Sequence, residues 1–191
     1  MYPVGATPLD QNEIQGLIPE ISTQAELNEL EKENIRQAIR WAKRSRLVRK
    51  ELLSPSTLFR LHKEMLQDVW DWAGQVRRTE KNIGVAPHQI APSLLNLCQD
   101  AQYWIEHKVY NWEEIAVRLH HRLVLIHPLA NGNCRHARIT ADLLLSLHEQ
   151  GTLTWGRSEL TQNDETRKEY LGALREADND RFEELVLFAK S

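Results

Sequence analysis

Two apolar helical stripes joined by a short polar turn constrain this chain more than any other feature. Trp112, Ile115, Ala116, Leu119, Leu123 and Ile126 recur at three- and four-residue steps behind Asn111, a favourable N-cap. After the turn, Ile139, Leu143 and Leu147 repeat the pattern until Gly151 ends it. These are the most apolar helices the sequence predicts. They belong at the centre of a core, which would hold the turn between rigid supports.

Helical spacing continues on both sides. Ser22 or Thr23 caps a predicted helix to about Arg46, with Leu27, Leu30, Asn34, Ala38 and Trp41 in register. Ser54-Pro55 pairs a cap with proline at the first helical position, and Leu58, Leu61, Met65, Val69 and Trp72 carry that face to Gly74. Leu94, Leu97, Ala101 and Trp104 mark a helix over 93–107, while Asn163 and Asp180 read as caps of the last two helices. Between Arg77 and Pro92 the periodicity fails, and Ile83-Gly84-Val85 with Pro87-His88-Gln89-Ile90 predict a short extended hairpin or loop. Pro3, Gly5, Pro8, Gly16 and Pro19 predict an irregular arm over 1–24. The sum is one all-α domain over 25–191, with its core at about 54–150 and one small β-hairpin.

The 191 residues suffice for one real core, and a net charge of −3 argues against a global nucleic-acid binder. The run Arg36, Arg40, Lys43, Arg44, Arg46, Arg49 and Lys50 reads as a solvated helix face rather than a DNA contact. No apolar run approaches the roughly 20 residues a membrane span needs. No export signal is visible, and Cys98 and Cys134 form no CxxC pair, so the expectation is a cytoplasmic protein with free thiols.

The chemistry gathers in the turn, His127-Pro128-Leu129-Ala130-Asn131-Gly132-Asn133-Cys134-Arg135-His136-Ala137-Arg138. A helix N-terminus offers unpaired N–H groups and partial positive charge to an anion. Arg135 and Arg138, three apart, add donors on the same face, and their position against the helix dipole suits a bound anion. His127 beside that cradle can act as a base. His120, His121, His127 and His136 lack HExxH or cysteine spacing, which speaks against zinc. No P-loop or GxGxxG sequence is present.

This segment resembles the Fic/Doc signature His-x-Phe-x-(Asp/Glu/Ala)-Gly-Asn-Gly-Arg-x-x-Arg through His127, Pro128, Gly132, Asn133, Arg135 and Arg138. Val69-Trp70-Asp71-Trp72-Ala73-Gly74 and Arg78-Thr79-Glu80-Lys81-Asn82-Ile83-Gly84 resemble the family's entry into its flap. The resemblance runs from about residue 25 to the C-terminus and is closest to the subgroup called mobile mystery protein B. It implies a Fic fold and a protein adenylyltransferase that moves AMP from ATP to a Ser, Thr or Tyr hydroxyl of a target protein. Self-modification is an option, and Mg²⁺ is the implied cofactor.

In that reading His127 is the general base, and Asn131, Gly132, Asn133, Cys134, Arg135 and Arg138 form the nucleotide site. Lys81, Asn82, Ile83 and Gly84 form the target-binding flap. Asn131 stands where an acidic Mg²⁺ ligand belongs. Cys134 replaces a glycine, so its Cβ threatens the phosphate approach or the required dihedrals. These two departures leave open a second reading, a degenerate Fic scaffold or antitoxin-like binding module. Many relatives are silenced by a helix bearing (Ser/Thr)-x-x-x-Glu-(Gly/Asn). Glu33-Asn34 fits its end, making Glu33 the candidate inhibitory residue, with Glu26 behind it.

Overall fold

The computed structural model describes residues 8–156 and 164–191. Its helices are α1 Gln11–Gln15, α2 Gln24–Arg44, α3 Arg46–Glu51, α4 Pro55–Leu66, α5 Ile90–Glu106, α6 Trp112–Ile126, α7 Asn133–Leu147, α8 Asp164–Ala177 and α9 Glu183–Lys190. A 3-10 turn, Pro87–Gln89, leads into α5.

The helix starts follow local chemistry. Thr23 and Glu26 form a capping box at α2, and Ser54 caps α4 with Pro55 in its first turn. Asn111 accepts the Glu114 N–H at 2.9 Å to open α6. α6 packs mainly on α7 and then on α5; α2 lies along α4, and α8 pairs with α9. Leu119, Leu123, Ala137, Ala141 and Leu144 are buried between these layers, so the turn between α6 and α7 is carried by two well-buried helices.

Four expectations change. α4 stops at Leu66 rather than Gly74, because Trp70 and Trp72 stack at 5.0 Å and fill a turn that Gly74 closes at φ +79°. The arm over 1–24 contains α1, which Asp10 and Glu13 cap reciprocally. Asp180 is not a cap: it takes φ +60° in the preceding turn, and α9 begins at Glu183. Asn163 lies outside the described residues.

The fourth concerns the hairpin, since no strand forms among the described residues, only the isolated bridges Leu17–Trp70 and Val76–Leu129. The legs of the flap bond to the α6–α7 turn instead of each other, Arg77 N–H to the Pro128 carbonyl at 3.0 Å and Val85 N–H to that of Ile126 at 3.3 Å. Among the described residues, no helix is long and apolar enough to cross a membrane.

Candidate active site

His127 closes α6 at the C-cap, in the left-handed region (φ 51°, ψ 59°), with its N–H bonded to the Leu123 carbonyl at 3.1 Å. A non-glycine residue there is costly unless its surroundings hold it. Arg77, only 3% exposed, supplies part of that hold. Its Nε donates to the His127 carbonyl at 2.6 Å, its Nη1 to the Thr79 carbonyl at 2.8 Å, and its Nη2 to the Val85 carbonyl. Burial, and next the Arg77 charge, push the His127 imidazole down to about 4, against a hydrogen bond to the Val124 carbonyl and with a further push from Lys81. The ring is therefore neutral at pH 7, the form that accepts a proton.

The loop beyond His127 is tied to itself. Asn133 accepts the Leu129 N–H on Oδ1 at 3.0 Å and donates from Nδ2 to the Leu129 carbonyl at 2.8 Å. Gly132 takes φ +74° as the N-cap of α7. The Asn131 carbonyl faces His62 Nε2 at 3.1 Å, while His62 Nδ1 accepts the Gly74 N–H at 2.9 Å. Because the Gly74 amide can only donate, the ring proton sits on Nε2 and His62 donates to Asn131. Burial and then nearby His136 hold His62 well below the usual histidine range, which preserves that neutral tautomer.

Arg135 lies in the first turn of α7 and Arg138 one turn further on. Arg135 Nη1 meets Glu31 Oε2 of α2 at 2.5 Å, and Glu31 Oε1 accepts Trp70 Nε1 at 2.8 Å. Arg138 is half-buried, with Nε on the Cys134 carbonyl at 3.3 Å. A buried imidazole thus ends one helix where a helix start bearing two arginines begins the next.

The Fic/DOC family model matches residues 52–145, which contain His62, Arg77, His127 and the α6–α7 turn with both arginines, and leave Glu31 outside. Residues 52–145 belong to the Fic/DOC family. A structure of Fic-1 from C. elegans superposes with a TM-score of 0.69 at 23% identity over 92% of this chain, which spans only 51% of that one. BepC from Bartonella tribocorum with bound AMPPNP gives 0.68 at 16% identity, covering 95% of this chain and 97% of that one. A Fic domain from Bartonella quintana with bound ADP gives 0.66 at 17% identity, covering 89% and 86%. No curated protein sequence matches the chain.

Within this Fic domain several residues sit differently from expectation. Both ends of the Asn133 amide bond Leu129, so its side chain shapes the loop. Glu33 is exposed and bonds Gln37, Arg36 and Arg40 on its own helix; Glu31, two residues earlier, is the glutamate that meets a motif arginine. Glu26 serves the α2 capping box. Cys134 is an ordinary helical residue, and the left-handed positions are Gly132 and His127, so no dihedral forbids its Cβ.

Lys81 turns back to the arm, where Glu13 lies at 2.5 Å, leaving Asn82, Ile83 and Gly84 as the exposed flap tip. Protein-held Mg²⁺ fits poorly. Asn131 offers one neutral amide oxygen, already accepting the Gly132 N–H at 2.5 Å, and no three His, Cys, Asp or Glu side chains converge among the described residues. The remaining histidines of this region have separate partners. His120 pairs with Tyr170, His121 with Asp178 and His136 with the Leu58 carbonyl.

Arg77, His62 and Glu31 escaped the sequence reading. His62 was accessible to it, since it falls in step with Leu58, Leu61 and Met65 on the apolar face of α4. Arg77 carried no comparable signal, because its burial depends on three carbonyls contributed by a non-periodic loop.

Proposed function

We propose that this chain is a protein adenylyltransferase. The observation that carries the reading is the neutral, buried His127 imidazole set beside the arginine-bearing start of α7. His127 takes the proton from a target Ser, Thr or Tyr hydroxyl. The freed oxygen bonds the α-phosphorus of ATP as the bond to the pyrophosphate oxygen breaks, and pyrophosphate leaves with that electron pair. Arg135 and Arg138 stabilise the phosphate charge, and the first amides of α7 face the same anion. The nucleotides in the BepC and Bartonella quintana structures support ATP as donor.

Glu31 competes with phosphate for Arg135, so the resting activity is low and nucleotide entry requires that ion pair to open. The flap tip Asn82-Ile83-Gly84 presents backbone to the incoming target segment.

Incubation with α-labelled ATP and a protein extract tests the reading. Label on the chain itself or on other proteins is expected, falling by a hundredfold or more, on the order of a general base's contribution, in His127→Ala. Label that survives in that variant removes His127 from its role. An unlabelled wild type that binds partners equally well with and without ATP favours the binding module, the reading that the neutral Asn131 supports.

A further inference from the structure

The flap and the base are joined by one side chain. Arg77 spends Nε on the His127 carbonyl, Nη1 on Thr79 in the ascending leg and Nη2 on Val85 in the descending leg, while its own N–H reaches Pro128 at 3.0 Å. A planar guanidinium matches three diverging carbonyls in a way that an ammonium does not. Gly84 completes the fit, because a Cβ there would lie 2.6 Å from His127 Cβ and 2.8 Å from Arg77 Nη2. The flap backbone therefore rests directly on the residue that ends α6.

We propose that Arg77 is a positioning residue that locks the flap and His127 into one unit. The register of an incoming hydroxyl relative to the base is then set before any target arrives. This inference takes the role of His127 from the function proposed above, but its physical content concerns the clamp alone. Removing the guanidinium frees both flap legs and also relaxes the left-handed His127. Replacing it by lysine keeps the charge and abandons the three-carbonyl geometry.

Amide exchange on the full chain, with Arg77→Lys and Arg77→Gln beside the wild type, decides the matter. Exchange at the Val85 and Arg77 amides is expected to rise about tenfold in both variants, with Leu119 and Leu123 in α6 unchanged. NMR titration separates charge from geometry. His127 should stay near its wild-type value of about 4 in Arg77→Lys. In Arg77→Gln, which removes a like charge, it should rise by about one pH unit.

Unchanged exchange in Arg77→Lys overturns the clamp. Exchange rising equally along α6 also overturns it, because that marks a residue that only supports the fold. Gly84→Ala offers a second route that leaves Arg77 in place: its Cβ pushes the flap off His127 and should reproduce the Val85 effect, and an unaltered Val85 amide there also defeats the proposal. Failure of the wild type to transfer label would sink the enzymatic reading while leaving these measurements interpretable.

Discussion

The α6–α7 turn and the flap lie against each other, yet they are held by different means. From Leu129 to Asn133 the turn is fixed largely by short-range bonds between its own residues, Asn133 to Leu129 and Asn131 to Gly132, with His62 adding one bond to the Asn131 carbonyl from α4. The flap owes its shape to reaches from elsewhere: Arg77 to His127, and Lys81 to the arm. A segment that satisfies its own polar groups is stable wherever its flanking helices form. A segment satisfied by distant partners opens when any one of them leaves. In the adenylyltransferase proposed above, chemistry would sit in the first and target contact in the second, a division suited to a rigid base and a surface that meets many shapes.

Acid tests that division with the largest expected effect. His127 and His136 are each pushed down to about 4 by burial, and His62 and His120 are also held well below the usual range. The unfolded chain takes up these protons near 6.5, before the folded chain does. Stability is therefore complete above about pH 6.5 and falls as pH drops toward about 4, by about 3 kcal/mol for each of His127 and His136. Denaturant midpoints measured across that range should decline steeply. A flat profile would mean that these imidazoles are not buried neutral around the turn.

Asn133→Ala breaks the turn from within. It leaves both the N–H and the carbonyl of Leu129 buried without partners, at a cost of about 2–4 kcal/mol of unfolding free energy. Ile83→Ala, at the 40% exposed flap tip, should move the same midpoint by less than about 0.5 kcal/mol. Equal losses at the two sites would erase the contrast. Glu31→Ala should tighten nucleotide binding by about tenfold, since Arg135 no longer has an internal partner. It should also lower stability by about 1–2 kcal/mol, because Trp70 Nε1 loses its acceptor. Calorimetry with ATP beside thermal melts reads both changes, and weaker binding in the variant would refute the competition.

The same contrast explains what the sequence could disclose. The stripe of α6 and the caps Asn111 and Ser54 are local signals that the structure keeps, whereas α7 ends at Leu147, short of Gly151, and buries Ala137, Ala141 and Leu144 more deeply than Ile139 or Leu147. The motif order was legible for the same reason, since His127, Gly132 and Arg135 act within one stretch of chain. What stayed hidden depends on tertiary reach. Glu31 rather than Glu33 faces the arginine because the buried face of α2, with Asn34, Ala38 and Ala42, turns position 31 inward. The flap looked like a hairpin because short apolar pieces sit between Gly84 and Pro87, but its hydrogen bonds went to Ile126 and the α6–α7 turn. The end of α4 was misread because Val69 and Trp72 keep helical spacing while packing from a turn.

Lys81→Met probes the tie between flap and arm, with a smaller expected effect than Asn133→Ala. The ammonium lies 2.5 Å from Glu13 and 3.8 Å from Asp10, with its side chain 5% exposed, so the arm's carboxylates pin this leg of the flap. Methionine keeps the packing volume and removes the charge. Glu13 retains the Asp10 N–H at 2.8 Å, and the arm keeps the Trp72 Nε1 bond to the Glu13 carbonyl at 2.9 Å, so the loss is limited to about 1 kcal/mol. That loss should be local. Exchange at the Ile18 and Asp71 amides, which bond Val69 and Gly16 across the arm, should rise about fivefold while the α7 amides stay unchanged. If α7 exchange rose as much, arm, flap and turn would open as one cooperative unit, and the separate footing of base and flap would be lost.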